Sequence, residues 1–173
     1  MEKEAQRICD IEKFSKATIN NSILGLKNRV DSKIGEMILS DYLGLKLDNS
    51  YKYDLTFGLD GKSSIEVKTK RRDVNARPEY IADIAKTSEH QFVNGGRKII
   101  AFLSLNKISL QAEIVGFISV NRLMKLLGTD DAKFIKAGTK LEKNYVQRAD
   151  GWQIKYSCLM PPETFKEWIK DKK

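Results

Sequence analysis

Asp54, Glu66 and Lys68 are the residues of this chain whose types and spacing could do chemistry together. Glu66 and Lys68 flank Val67, so in an extended segment both side chains leave one face, about 7 Å apart along the strand. Asp54 lies upstream, and Leu59-Asp60-Gly61-Lys62 between them carries an Asp-Gly pair that favours a hairpin. Two carboxylates then converge beside one ammonium. Completed by the backbone carbonyl of Val67, these oxygens suit a hard divalent cation, Mg²⁺ or in its place Mn²⁺. Such an ion polarises a phosphate ester and acidifies a bound water. A neighbouring lysine orients or deprotonates that water, or stabilises the charge that develops on phosphorus. The expected chemistry is phosphodiester hydrolysis. Glu36, at the margin of a helical apolar stripe, would join as an acid behind the ligands or as a ligand for a second ion. An exposed hairpin with cross-strand charge pairs would use the same residues for solubility alone.

The surrounding elements must place these groups. Tyr51, Tyr53, Leu55 and Phe57 alternate with Lys52, Asp54 and Thr56, which predicts a strand. Ile65, Val67 and Thr69 alternate with Ser64, Glu66, Lys68 and Lys70, which predicts its return. Ahead of both, Ile34, Met37, Ile38, Leu39, Tyr42 and Leu43 form the apolar stripe of a helix. Asp31 or Ser32 would cap it and Gly44 would stop it. The first 28 residues read as weakly patterned helix. After the basic loop KRRDVNARP, Ile81, Ile84, Ala85, Ser88 and Phe92 recur at helical spacing and predict a helix from Pro78 or Glu79 to Asn94-Gly95-Gly96.

KIIAFLSL is apolar on both faces and reads as a central strand. EIVGFISV reads as another, followed by a short helix through Arg122–Leu127. Residues 128–150 lack a pattern and read as a loop or flap. GWQIKYSCL reads as a late strand and PPETFKEWIK as a terminal helix with proline in its first turn. The fold class is therefore α/β (α+β), a central mixed sheet flanked by helices. Residues 31–173 form one domain, with 1–30 as an N-terminal helical extension.

Charge and composition narrow the partners. The chain of 173 residues carries a net charge of +8. Residues 36–67 hold 3 basic and 6 acidic residues, whereas 68–98 hold 8 basic and 4 acidic. A basic surface attracts a polyanion, and an acidic island within it suits a bound cation. Lys70, Arg71, Arg72 and Arg77 leave the Glu66–Lys68 strand together and are the candidate nucleic-acid-binding residues. Lys133, Lys136, Lys140 and Lys143 form a second basic stretch. No apolar run is long enough to span a membrane, and the N-terminus has no secretory h-region, so the expectation is a cytoplasmic protein. Cys9 and Cys158 are the only cysteines, which suits a reducing compartment and excludes a cysteine-rich zinc site. His90 is the only histidine, so histidine-centred catalysis would rest on one residue. Trp152 and Trp168 read as core or interface residues.

The order Glu36, Tyr53-Asp54, Ile65-Glu66-Val67-Lys68 resembles the PD-(D/E)XK, or restriction-endonuclease-like, nuclease superfamily, with Tyr53 in place of the motif's proline. The resemblance spans residues 31–105. GFISV, AKFIKAGTKLEKN and WQIKYSCLMPPETF are similar to the C-terminal part of small phage and mobile-element members. The resemblance implies an α-β-β-β-α-β core, with a short edge strand within Leu45–Asp48. It implies Mg²⁺-dependent DNA cleavage leaving 5′-phosphate and 3′-hydroxyl ends. Asp54 and Glu66 would be the metal ligands, Lys68 the catalytic lysine and Glu36 the helical acid. Members often carry a glutamine on the helix after the lysine strand, where Gln91 would stand as an accessory residue. Gly95 occupies the position of the tyrosine that exonuclease relatives place four residues after that glutamine, which favours an endonuclease over an exonuclease. Structure-specific, junction-resolving and site-specific cleavage in phage or mobile-element DNA processing all remain open. Cutting both strands of a duplex would call for a homodimer. A non-catalytic nucleic-acid-binding module on the same fold is the alternative.

Overall fold

The computed structural model describes residues 26–48, 54–58, 63–86, 99–141 and 146–172, together with Lys3. Tyr51–Tyr53, the Asp60-Gly61 turn, His90, Gln91, Lys143 and Cys9 lie outside the described residues. Helix α1 spans Leu26–Leu43, β1 Leu55–Phe57, β2 Ser63–Arg72, β3 Ile81–Ala85 and β4 Ile99–Asn106. These are followed by β5 (Ala112–Ser119), α2 (Val120–Leu126), β6 (Ala132–Ile135), β7 (Gly151–Lys155) and α3 (Pro162–Lys170). The result is a mixed α/β chain. No helix among the described residues is long and apolar enough to cross a membrane.

The main sheet has the order β1-β2-β4-β5, with β2 and β4 parallel and the outer pairs antiparallel. Strand β4 is central and buried through its first six residues, as its unbroken apolar run demands. Side-chain alternation divides the core in two. Ile65, Val67, Ile99, Ala101 and Leu103 pack against Leu39 and Leu43 of α1 and Phe165 and Ile169 of α3. Ile100, Phe102 and Ile118 face the other way, onto Ala82, Ile84, Ala132 and Ile154 of a second sheet, β3-β7-β6, and Leu123 of α2. The main sheet is thus sandwiched between helices and a smaller sheet.

The terminal helix follows from local rules. Pro162 opens it, where a missing N–H costs nothing, and Glu163 in its first turn and Lys170 in its last sit where the helix dipole favours their charges. Its buried Phe165 stacks on Phe117 at 3.9 Å between centroids. Trp168 packs edge-on against Phe57, and Trp152 against Phe134. Just before α3, Met160 exchanges backbone hydrogen bonds with Phe117, at 3.0 and 2.7 Å, along the outer edge of β5.

Several expectations are corrected. Residues 81–85 form a strand, not the start of a helix. Ala82 and Ile84 are buried while Ile81, Asp83 and Ala85 are partly exposed, which is strand period. Ile81, Ile84 and Ala85 also fit helical spacing, and only pairing with β7 decides between the two. Within 128–150, β6 replaces the expected loop at 132–135, also by pairing with β7. Helix α1 starts at Leu26, so Asp31 and Ser32 lie inside it rather than capping it, and it runs across the expected boundary at residue 30. Asp31 instead accepts a hydrogen bond from Arg71 at 3.1 Å. The edge strand expected within Leu45–Asp48 is reduced to a single antiparallel bridge, Leu47 to Leu55. Gly44 does end α1, at φ 62°, a conformation glycine adopts without strain.

Helix α1 crosses β2 at Gly35, which is buried. A Cβ there would fall well inside contact distance of Thr69 Oγ1 and lie 3.2 Å from Thr69 Cβ. Alanine would gain about 1 kcal/mol of helix preference over glycine, whereas overpacking costs about 1–3 kcal/mol. Gly35→Ala is therefore expected to lose about 1 kcal/mol net in urea unfolding, and adding Thr69→Ala should recover most of it. A Gly35→Ala protein as stable as wild type would show that this crossing is not tight.

Candidate active site

The site grows from the place where β1 stops. Leu55 pairs with Ile65, and the Asp54 N–H donates to the Ile65 carbonyl at 3.3 Å. The peptide groups of Ile65 thus point toward β1. Alternate residues of a strand present their N–H and C=O to the same edge, so those of Val67 point there too, one step past the last β1 pair. Asp54 fills that place with its side chain: the Val67 N–H donates to Asp54 Oδ2 at 2.6 Å. The Val67 carbonyl is directed to the same edge, while its side chain is buried in the core, as expected.

Extending the register sets Asp54 opposite Glu66, on one face. Glu66 is 8% exposed, and Lys68 Nζ donates to its Oε1 at 2.7 Å. Glu36 comes from α1, brought in by the close crossing at Gly35. Its Oε2 accepts from Lys33 Nζ at 2.7 Å, and both side chains are nearly buried. Asp54, Glu66, Lys68 and Glu36 are therefore assembled from three elements. Glu66 and Glu36 lie far below the exposure of charge pairs on a solvent-facing hairpin.

The electrostatics of Asp54 are unbalanced. Burial is the largest cause that pushes its pKa well above the usual carboxylate range, followed by the negative charges of Glu66 and then Glu36. The Val67 N–H and the Lys68 ammonium act in the opposite direction without cancelling these. Among the described residues no group of three or more histidine, cysteine or acidic side chains is arranged as a ready metal cluster. The donors that converge at the edge of β2 are two carboxylates and the Val67 carbonyl. That all-oxygen set fits Mg²⁺ or Mn²⁺, and the excess of acidic charge around Asp54 is what a cation would relieve.

Lys33 is the member that sequence reading missed. It stands three residues before Glu36, beside the apolar stripe, where a helical ion pair could have been suspected. The basic residues downstream of Lys68 are separated by strand alternation. Lys70 and Arg72 share the Glu66–Lys68 face, whereas Arg71 turns toward α1 and Asp31. Lys70 is paired with Asp83. Arg72 donates to the Tyr156 hydroxyl at 2.9 Å and lies over the Tyr80 ring. Arg77 is exposed, 3.9 Å from Glu79. These four cations do not form one open patch.

No family model, no curated protein and no solved structure matches this chain.

Asp54→Asn keeps an acceptor for the Val67 N–H but removes a charge crowded by Glu66 and Glu36. Without divalent cations it is expected to melt about 2–4 °C higher than wild type, the shift that about 1 kcal/mol produces in a domain of this size. Added Mg²⁺ or Mn²⁺ should stabilise wild type and not the variant. A variant that melts lower without metal, or gains equally from Mg²⁺, would contradict this account of the site.

Proposed function

We propose that this chain is a Mg²⁺-dependent DNA endonuclease with a restriction-endonuclease-like site. The observation that supports it best is the convergence of Asp54, Glu66, the Val67 carbonyl and Lys68 at the β1 edge of β2, with Glu36 behind them. Asp54, Glu66 and the Val67 carbonyl would hold the ion, with Glu36 completing the acidic set. The ion would supply Lewis acidity and a bound water of lowered pKa.

The chain's own groups do the rest. The Val67 N–H fixes the Asp54 carboxyl against the strand, so this ligand needs no reorientation. Glu66 tethers Lys68, whose Nζ donates hydrogen bonds to oxygens around the reacting phosphorus. Water attacks in line, its oxygen bonds to phosphorus, and the bond from phosphorus to the 3′ oxygen breaks. The products carry a 5′-phosphate and a 3′-hydroxyl.

The net positive charge draws DNA to the protein. Processing of phage or mobile-element DNA in the cytoplasm is the setting in which we place it, with a homodimer where both strands of a duplex are cut.

Cleavage of labelled linear duplex, single strand, flap, four-way junction and supercoiled plasmid tests the proposal. Wild type should cut at least one of these with Mg²⁺ or Mn²⁺ and none with EDTA. Lys68→Ala should lose about 100-fold or more of the rate, the scale of removing one charge-stabilising donor. A wild-type protein that binds these DNAs and cuts none would instead be a binding module.

A further inference from the structure

Ser104 is unusual in its strand. It interrupts the apolar run of β4, is 2% exposed, and its hydroxyl is buried without a hydrogen-bond partner. An unpaired buried hydroxyl is costly, so its retention in the core calls for something to meet it. Ser104 lines a pocket of about 400 Å³ whose other described lining residues are Asn75, Asn106, Gln111, Ala112 and Glu113. These walls are largely fixed by hydrogen bonds of their own. The Asn106 side-chain amide donates to Asn75 and its oxygen accepts from the Ile108 and Ser109 N–H groups. Glu113 accepts from the Ala76 N–H at 3.2 Å.

The position of this pocket relates it to the site. Lys68 is paired with Phe102 and Lys70 with Ser104 across β2 and β4. Ser104 therefore lies on the face of Glu66 and Lys68, one same-face step of about 7 Å beyond Lys68. A nucleic-acid strand crossing Lys68 would bring a neighbouring nucleotide to that level.

The lining selects which part of the nucleotide would enter. Among the described residues it contains amides, a hydroxyl and one carboxylate, and no cationic side chain. The neighbouring cations of β2 are engaged elsewhere, Lys70 with Asp83 and Arg72 with the Tyr156 hydroxyl. Such walls repel a phosphate and suit a base edge. A glutamate accepts from an exocyclic amino group, and a glutamine reads adenine's paired donor and acceptor, a role open to the exposed Gln111.

We infer that this pocket holds the nucleobase next to the scissile phosphate and gives the enzyme a preference for an amino-bearing base, adenine or cytosine, at that position. This rests on the nuclease reading above, which supplies the strand's path.

Two measurements separate the two claims. Random-sequence DNA is cut with Mg²⁺ and the fragment ends are sequenced, with base frequencies normalised within each protein so that overall rate does not matter. Separately, binding of dA, dC, dG and dT homo-oligonucleotides is measured in Ca²⁺. Wild type is expected to favour adenine or cytosine by about tenfold at one position beside the cut, and in binding. Ser104→Ala removes only the unmatched hydroxyl, and Gln111→Ala changes an exposed wall residue, so both variants should fold. Each should flatten the preference. Cutting without base preference, or with a preference that both variants retain, overturns the pocket and leaves the nuclease standing. Base-selective binding lost in the variants, with no cutting, keeps the pocket and removes the nuclease. A protein that neither cuts nor discriminates removes both.

Discussion

The hydrogen bond from the Val67 N–H to Asp54 joins the fold to the candidate chemistry. The last β1 pair is Leu55 with Ile65, and the Asp54 side chain meets the next N–H directed to that edge of β2. That contact fixes a carboxyl at a backbone edge, and the adjoining carbonyl points the same way. It also forces Asp54 close to Glu66, its cross-strand neighbour. Three oxygens are thereby held at one edge of the sheet. Glu36 is reached only because α1 lies close against β2, which a glycine at the crossing permits.

Strand β2 serves two faces at once. Its odd-numbered residues, Ile65, Val67 and Thr69, anchor it under α1. Its even-numbered residues, Glu66, Lys68, Lys70 and Arg72, form a polar row directed toward the second sheet. A strand lying between two layers is ordinarily apolar, and β2 departs from this where Lys68 and Lys70 reach partial exposure. Here the row is matched pair by pair, Lys68 with Glu66, Lys70 with Asp83, and Arg72 with Tyr156. Each cation is met by an acceptor, which limits the cost of desolvating it.

How much could be read from the sequence depended on whether one local pattern was decisive. Strands β2 and β4, α2 and α3 were legible because alternation, an unbroken apolar run and end signals each pointed one way. Asp54, Glu66 and Lys68 were legible for the same reason, since a single hairpin register relates them. Strand β3 was not, because Ile81, Ile84 and Ala85 satisfy both periods. Strand β6 is four residues long and acquires its identity from β7. The partners of Arg71 and Arg72 lie far away in sequence, so a run of basic residues looked like one surface when the fold splits it between two faces. Lys33 gave a weak helical signal whose meaning depends on where α1 lands.

The backbone bonds between Phe117 and Met160 give the C-terminal segment a second task. Strand β5 closes one side of the main sheet, and an uncovered strand edge is a template for pairing with another copy of the chain. The segment ahead of α3 occupies part of that template, and α3 then folds Phe165 over Phe117 beneath it. The last dozen or so residues therefore act as a guard against self-association as well as a cover for the core. Loss of this segment by proteolysis or truncation would expose an adhesive edge and an aromatic patch together, and would uncover the core on which Val67 rests.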